Sequence, residues 1–308
     1  MVQHEQFESP ACALCGWDGF SVLAPSRRAP GPVDLGSVFR SSADEPLQDQ
    51  LVCCDACGLA YVRPRLRGDL ILEGYQGASD EAFVSQAAAR ERSFRRCLSR
   101  IESAARPPGP RVLDVGAAGG SFLAIAREKG YQVAGCEPSR WMCRYARERY
   151  GLELRPGTIL DLDAAPAGFD LLTLFDVIEH TPDPAAVLRR AYELLAPGGI
   201  LGLSYPDYGS LAARAMGRRW VFLLTVHLYY FTRESMRRLL GRSGFDAIRF
   251  EPHLQTLELG YVAQRAAPYL GPLGGLAARL PRALGLGRLP FPYWVGQTLV
   301  VARKRAAG

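Results

Sequence analysis

The chain has 308 residues, 48% of them hydrophobic and 22% charged, a size and composition that allow one large α/β core and a smaller accessory module. Its most apolar stretch, residues 220–231, is well short of the roughly 20 residues that a membrane-spanning helix needs, so no transmembrane span is expected. The net charge of +6 is modest, and it is concentrated at one end of the chain because no acidic residue follows Glu258. The basic residues beyond that point are Arg265, Arg279, Arg282, Arg288, Arg303, Lys304 and Arg305.

The two ends of the chain give expectations about where the protein works. Residues 1–10 contain His4, Glu5 and Glu8 and no apolar run, so neither a secretory signal nor a transit peptide is expected and we place the protein in the cytoplasm. A basic C-terminal region suits anionic lipid, nucleic acid or a phosphorylated substrate, but a merely solubilising tail has the same composition.

Two Cys-x-x-Cys-Gly turns lie near the N-terminus, one containing Cys12 and Cys15 and the other Cys54 and Cys57. Each turn can direct two thiolates at one ion, and four thiolates form a tetrahedral zinc site. The Pro-, Ser- and Gly-rich segment 24–46 can loop out between them. We therefore predict a small zinc ribbon over residues 1–70, with unliganded thiols or a redox pair as the alternative.

A strand, a glycine turn and a helix follow the ribbon. Apolar residues at helical spacing over 83–105 predict a helix that the prolines of 107–110 end. Residues 111–115 then resemble a buried strand, 116–120 a tight turn and 121–129 a helix. Such a turn exposes backbone amides to a ligand, and Glu137, after the next strand at 131–136, is placed to bind both hydroxyls of a ribose.

The remaining elements continue the alternation of strands and helices. It predicts strands at 169–175, 200–205, 245–250 and 298–302, helices at 184–195 and 233–242, and a turn at 196–199. This order predicts an α/β fold with a mostly parallel sheet, helices on both faces and a last antiparallel strand.

The segment from about residue 111 to 250 resembles a class I methyltransferase that uses S-adenosylmethionine (SAM). Residues 113–120 are similar to the family's Asp-x-Gly-x-Gly-x-Gly turn, with Ala118 in place of the middle glycine. The resemblance implies a Rossmann-like domain over residues 71–308 with SAM as cofactor. It implies cofactor contacts from Asp114, Gly116, Ala118, Gly120, Glu137, Ile159, Asp161 and Asp176, with Glu137 at the ribose and Ile159 or Asp161 at the adenine.

The cysteine turns and residues 57–64 resemble the zinc-ribbon module that precedes the methyltransferase domain in sugar and natural-product C-methyltransferases. Those enzymes usually carry a further C-terminal domain, for which this chain offers no room. This departure weakens an assignment to sugar C-methylation. The expected acceptor is a small or lipid-linked molecule, whether natural product, saccharide or quinone-like, and the methylated atom is left open.

Three interpretations of the segment 176–180 remain open. Asp176 and His180 could face the sulfonium and the acceptor, with His180 as general base. Asp176, Glu179 and His180 also resemble the cluster that holds a divalent cation in ubiquinone-pathway O-methyltransferases. In the third interpretation, Glu179 and His180 only brace a loop.

A second candidate base is His227, in an aromatic segment that often forms the acceptor side of such enzymes. It could equally be a hydrogen-bonded core residue. Tyr75 and the aromatic side chains of 220–231 could line an apolar acceptor pocket. The segment 252–292 mixes Leu, Gly, Pro and Arg, which suits a lid or a peripheral contact with the inner face of the membrane.

Three alternatives come from other classes of protein. A zinc-ribbon RNA methyltransferase fits the basic charge, but that charge lies in the tail and a nucleic-acid partner is not expected. A nicotinamide-dependent oxidoreductase would also use Glu137, but the turn lacks its glycine register. A noncatalytic module that binds zinc and SAM is the third.

Overall fold

The computed structural model describes residues 6–29, 31–40 and 45–305. Residues 1–5, the first half of the N-terminal stretch 1–10 discussed above, lie outside the described residues. Parts of the predicted loop 24–46 lie outside them as well. The strands are β1 Phe7–Glu8, β2 Phe20–Ala24, β3 Leu51–Cys54, β4 Ala60–Val62, β5 Arg65–Leu66, β6 Arg111–Val115, β7 Gln132–Glu137, β8 Arg155–Pro156, β9 Phe169–Phe175, β10 Leu195–Pro206, β11 Tyr229–Tyr230, β12 Phe245–Pro252, β13 Gln255–Glu258, β14 Pro290–Tyr293 and β15 Gln297–Lys304.

The helices flank these strands. They are α1 Leu35–Val38, α2 Gly68–Gly77, α3 Glu81–Val84, α4 Ala87–Ala104, α5 Ser121–Glu128, α6 Arg140–Tyr150, α7 Pro184–Leu194, α8 Leu211–Met216, α9 Arg233–Arg242, α10 Leu259–Ala266 and α11 Gly274–Ala283. Short 3₁₀ turns lie at Ile159–Asp161, Ile178–His180, Gly217–Arg219, Ala267–Tyr269 and Gly271–Leu273. None of the helices in the described ranges is both long and apolar enough to cross a membrane.

A seven-stranded sheet of order β12-β15-β10-β9-β6-β7-β8 forms the centre of the fold. Strands β6 to β10 run parallel, while β15 lies antiparallel to both β10 and β12. The expectation of a Rossmann-like sheet with a last antiparallel strand is thus confirmed. The residues that follow β6, β7 and β9 meet at one edge of this sheet, where parallel α/β sheets bind their ligands.

Long helices and strands match their predicted positions because their apolar spacing reflects burial. Leu98 and Ile101 of α4 have no exposed surface, and the same holds for Leu171 and Leu172 of β9. Replacing one of these leucines by alanine is expected to cost about 2–5 kcal/mol.

Two local predictions are wrong, and one pair of strands was missed. The helix expected over 83–105 is two helices, because the buried side chain of Gln86 accepts a hydrogen bond from the Glu258 backbone where α3 ends and α4 begins. The turn at 196–199 lies inside β10 as an irregularity, and Lys304 donates to the Leu195 carbonyl there. The pair β13 and β14 was not predicted at all.

The N-terminal ribbon shares its sheet with the rest of the chain. Strands β2, β3 and β4 pair antiparallel, and β11 adds a fourth strand to β4. One apolar cluster runs from Leu14 and Tyr61 of the ribbon to Phe231 and Leu203 beyond it. The ribbon therefore packs directly on the segment that precedes α9.

Candidate functional site

A cavity of about 1370 Å³ opens at the carboxyl edge of the parallel strands. This exceeds the roughly 300–1,000 Å³ that one drug-sized ligand requires, so the cavity has room for two ligands side by side. Its lining includes most of the side chains singled out from the sequence: Asp114, Gly116, Ala118, Glu137, Ile159, Asp161, Asp176, His180 and His227.

The glycine turn after β6 adopts the backbone that its sequence predicts. Gly116 and Gly120 have φ angles of 65° and 80°, in the left-handed region that favours glycine. Ala118 has a φ of 46° and so adopts the same region with a side chain. Gly120 precedes the first residue of α5 and is not part of the cavity lining, whereas residues 116–119 line the cavity.

Glu137, at the end of β7, holds this turn in place. One carboxylate oxygen accepts from the Ala118 backbone N–H at 2.9 Å and the other from the Ser139 N–H at 2.8 Å. Burial raises the pKa of Glu137 to about 7, although both backbone hydrogen bonds favour the ionised form. The carboxylate is therefore fixed in direction at the cavity wall.

Asp114 lies beneath the turn in β6. Its carboxylate accepts from the Thr173 hydroxyl at 2.6 Å, and the residue is 3% exposed. Burial raises its pKa to about 7, opposed by that hydrogen bond. A cation bound beside Asp114 would restore its charge.

The two adenine candidates differ in their surroundings. Ile159 is buried and offers an apolar surface to the cavity. Asp161 is exposed and accepts from the backbone and hydroxyl of Thr158, each at 2.8 Å, so its carboxylate caps a 3₁₀ turn. Both residues line the cavity, and their contact with adenine stays a prediction.

Asp176 follows β9 with a φ of 54°, an uncommon conformation for a residue other than glycine. Its carboxylate accepts from three side chains: the Ser204 hydroxyl at 2.8 Å and the amides of Gln255 and Gln297 at 3.1 and 3.2 Å. The Tyr293 hydroxyl in turn donates to the side-chain amide oxygen of Gln255. These donors come from three distant strands, and nothing in the local sequence of 176–180 indicates them.

His180 and His227 lie together in the cavity lining, with ring centroids 4.7 Å apart. Nδ1 of His180 lies 3.0 Å from the Val226 carbonyl oxygen, and Nδ1 of His227 lies 2.8 Å from that of Phe222. A carbonyl oxygen can only accept, so we assign the proton of each ring to Nδ1, which leaves Nε2 with a free lone pair. The Tyr75 hydroxyl is 2.9 Å from Nδ1 of His180.

Burial keeps both histidines neutral. It lowers the pKa of His180 to about 4 and lowers that of His227 well below its usual value, with repulsion from His180 adding to the second shift. Glu179 is 1% exposed, and neither of its carboxyl oxygens has a hydrogen-bond partner in the described part of the chain. Burial and the charge of Asp176 raise its pKa well above the usual range.

The aromatic wall is only partly the predicted one. Tyr75, Trp220 and Phe222 line the cavity as expected. Tyr229 and Tyr230 instead form strand β11 and are buried against the ribbon. The cavity also receives arginines that the sequence did not suggest, such as Arg90, which stacks on Phe83 at 3.9 Å.

The four N-terminal cysteines converge away from this cavity. Their Sγ atoms all lie within 4.8 Å of one another, with Cys12 and Cys57 at 3.5 Å and Cys15 and Cys54 at 3.5 Å. A tetrahedral zinc ion with Zn–S bonds of about 2.3 Å requires thiolates about 3.8 Å apart, so the donors fit zinc.

The two cysteine turns also share one backbone pattern. The N–H of Gly16 donates to the Cys12 carbonyl at 2.8 Å, and that of Gly58 to the Cys54 carbonyl at 2.9 Å. Both glycines have similar positive φ angles, 77° and 74°. Two turns of one geometry that face each other are typical of a structural metal site.

Comparisons with known proteins agree with this geometry. A family model described as a methyltransferase domain matches residues 88–249, more than half of the chain. The ubiquinone biosynthesis O-methyltransferase of Xanthomonas axonopodis pv. citri (strain 306) is 35% identical over 113 residues, which are 35% of this chain and 47% of that protein. Its counterpart in Xanthomonas campestris pv. campestris (strain B100) is 37% identical over 103 residues, 32% of this chain and 43% of the relative.

The matched segment thus spans about half the length of these curated relatives. Among solved structures, a chain of the Haloferax volcanii complex with the Trm112 methyltransferase activator superposes with a TM-score of 0.52 at 16% identity. The match covers 74% of this chain and 96% of that chain, a likeness that concerns the fold alone. The glycine turn, the sheet and the family match lead to one identification: the protein belongs to the class I SAM-dependent methyltransferases.

Proposed function

We propose that the protein transfers the methyl group of SAM to a hydroxyl oxygen of a small or lipid-linked acceptor with a quinone-like ring. The observation that carries the proposal is one cavity whose lining joins the glycine turn to two neutral histidines. The names of the Xanthomonas relatives, which are ubiquinone biosynthesis O-methyltransferases, support an oxygen acceptor.

We propose that the cofactor occupies the end of the cavity formed by Asp114, the 116–120 turn and Glu137. There the Asp114 carboxylate would balance the ammonium group of SAM, and Glu137 would accept hydrogen bonds from the ribose hydroxyls. Ile159 would pack on the adenine. When bound, SAM supplies an electrophilic methyl group, and the chain has to align an oxygen with it and remove that oxygen's proton.

His180 is the proposed general base. Its Nδ1–H is held by the Val226 carbonyl, so Nε2 is available to take the acceptor's proton. The His180 side chain is 22% exposed, whereas the His227 residue is only 5% exposed, so His180 is the better placed of the two to reach a ligand. Asp176 would face the sulfonium and border the acceptor on the side away from His180.

A divalent cation at this wall is a second candidate feature. Ligand atoms of Glu179, His180 and His227 lie within 4.8 Å of one another, whereas the ubiquinone-pathway resemblance implied Asp176 as the third ligand. A cation held there would polarise the acceptor oxygen and lower its pKa. If Glu179 serves this purpose, Glu179→Gln should remove a dependence on added Mg²⁺ or Mn²⁺ that the unchanged protein shows.

We propose that zinc at Cys12, Cys15, Cys54 and Cys57 has a structural role. The division into a ribbon at 1–70 and a methyltransferase domain at 71–308 remains part of this proposal. The ribbon region also contributes to the cavity, since Arg40, Glu45 and Pro46 line it. A protein that stays in the cytoplasm and contacts the inner face of the membrane peripherally would reach a lipid-linked acceptor.

An acceptor screen with purified protein tests the proposal. Labelled SAM is incubated with hydroxylated quinol rings that carry or lack an isoprenoid tail, and both S-adenosylhomocysteine and methylated product are measured. The matched control is the same ring with its hydroxyls already methylated. Transfer to the free hydroxyl alone supports the proposal, whereas transfer to RNA but to none of the rings would replace it by the RNA methyltransferase alternative.

A further inference from the structure

An unusual patch of exposed leucines covers the segment between β13 and β14. More than half of the exposed large hydrophobic side chains in the described ranges fall between residues 270 and 291. This leucine patch consists of Leu270, Leu273, Leu276, Leu280, Leu284, Leu286, Leu289 and Phe291. Apolar side chains scattered singly need no explanation, but a contiguous group on one segment marks an interaction surface.

The charge of this segment has one sign. Arg279, Arg282 and Arg288 are exposed among the leucines, and the sequence contains no acidic residue after Glu258. Leucine and arginine together on short helices are the composition of surfaces that lie in the headgroup region of a bilayer. Each arginine near an anionic membrane strengthens the attraction by about fivefold.

The first part of the segment borders the cavity. Tyr261, Val262, Arg265 and Tyr269 line it, all on α10 or the turn that follows. Helix α11 folds back on α10, and the Arg282 guanidinium of α11 donates to the side-chain oxygen of Gln264 in α10 at 3.3 Å. The segment 259–289, called the roof below, therefore has two parts: α10 and the turn after it border the ligand space, and residues 270–289 carry most of the leucine patch.

We propose that the leucine patch docks the protein on an anionic lipid surface, so that an apolar acceptor passes from the bilayer under the roof into the cavity. The docking itself does not depend on the proposed acceptor, but the passage of the acceptor does. A second copy of this chain is a poorer occupant. Self-association about a two-fold axis would bring the same arginines against each other with no acidic residue of the segment to offset them.

Co-sedimentation of the full chain with vesicles tests the docking. Vesicles of phosphatidylcholine alone are compared with vesicles that also contain phosphatidylglycerol, at low and high salt. The expected result is binding to the anionic vesicles that weakens with salt. Replacing Leu273, Leu276 and Leu280 together by serine should reduce the bound fraction at least about tenfold, and Arg279→Gln should reduce it by about fivefold.

Matched variants separate the patch from general surface effects. Leu211→Ser changes a leucine that is 75% exposed elsewhere, and Arg106→Gln changes an exposed arginine outside the segment; neither should alter binding. The patch residues do not line the cavity, so the triple serine variant should bind SAM like the unchanged protein. If neither the unchanged protein nor the triple serine variant binds SAM, the proposed function is refuted, whereas the proposed docking on lipid is unaffected.

Two results would overturn the inference. One is an unchanged protein that stays in the supernatant with anionic vesicles at low salt. The other is a protein that light scattering shows to be a dimer without lipid and that the triple serine variant converts to a monomer, because the leucines would then face a second copy.

Discussion

The two ends of the cavity are built in different ways. The cofactor end consists of one contiguous turn, residues 116–120, and two carboxyl groups, Asp114 and Glu137, each at or near the end of a neighbouring strand. The acceptor end brings together side chains from segments far apart in the chain, among them Tyr75, His180 and His227. The cofactor end is formed largely by the backbone of one turn, whereas the acceptor end is formed by side chains that the tertiary fold brings together.

Their electrostatics differ as well. The carboxyls at the cofactor end suit a cationic ligand, whereas burial keeps the two histidines at the acceptor end uncharged. A neutral imidazole is able to accept a proton, and a desolvated site strengthens the interactions that align the reactants. The difference indicates that cofactor binding and proton removal should respond to separate mutations.

The largest effect is expected from the zinc site, which is connected to the acceptor end through the sheet of β3, β4 and β11. Strand β3 ends at Cys54 and pairs with β4, which pairs with β11 two residues beyond His227. Losing the metal should disorder this sheet and abolish methyl transfer, because small zinc modules gain their folding energy from the ion. Cys54→Ser should lose bound zinc and activity, while SAM affinity in the folded fraction stays close to that of the unchanged protein.

Cys53→Ser is the matched control for this change. Cys53 is the neighbouring residue, lies outside the four-thiol cluster and is partly exposed. It should keep zinc and activity. If the Cys54→Ser protein lacks zinc and still turns over at the normal rate, the zinc site does not support the acceptor end.

The next effect is that of removing the proposed base. His180→Asn should lower kcat by about 10²–10⁴, the range typical of a lost general base, and leave SAM affinity nearly unchanged. Tyr75→Phe removes only the hydroxyl beside Nδ1 of His180 and should cost much less. If His227→Asn costs more than His180→Asn, the base is His227, and equal small losses would remove both from the chemistry.

The cofactor end and the acceptor end also differ in how far they could be predicted from the sequence. The turn at 116–120 and Glu137 were predictable because their spacing and backbone requirements lie within one strand–turn–helix unit. The mostly parallel sheet covered by helices follows from the alternation of strands and helices. The fold and the cofactor end are therefore largely encoded in local patterns.

The acceptor end could not be predicted in this way. The three donors to Asp176 lie at positions 204, 255 and 297, and no local pattern relates them. The protonated nitrogen of each histidine depends on a carbonyl oxygen of a neighbouring loop, which only the folded chain places there. His227 would be a buried ring both as a core residue and as a base. The sequence therefore does not distinguish these two roles.

A smaller effect is expected at the cofactor end. Glu137→Ala should weaken SAM binding by about 30- to 100-fold, since hydrogen bonds to a charged group are worth about 1.5–3 kcal/mol. The loss should be in SAM affinity and not in kcat at saturating SAM. Glu153→Ala changes an exposed glutamate that pairs with Arg147 and is the matched control. A Glu137→Ala protein with normal SAM affinity would place the ribose elsewhere.

The smallest effect is a pH dependence of SAM affinity. In the ligand-free protein, burial raises the pKa of Asp114 and of Glu137 to about 7, so both carboxyls are partly protonated near neutrality. A bound cation favours their ionised forms, and SAM binding must then release protons below pH about 7. Each carboxyl that ionises on binding should raise the affinity by about eightfold between pH 6 and 7.5, with no further rise above that range, as measured by titration calorimetry.

Stability of the ligand-free protein should change in the opposite direction over an overlapping range. The folded state keeps these two protons up to pH about 7 while the unfolded chain releases them near pH about 4, so the free energy of unfolding falls as the pH rises between those values and is constant above them. Glu137→Gln removes one of the two groups and should flatten both curves. If SAM affinity does not vary with pH while the stability curve does, the two carboxyls are buried as described but do not face the cation, and the cofactor end would need a different assignment.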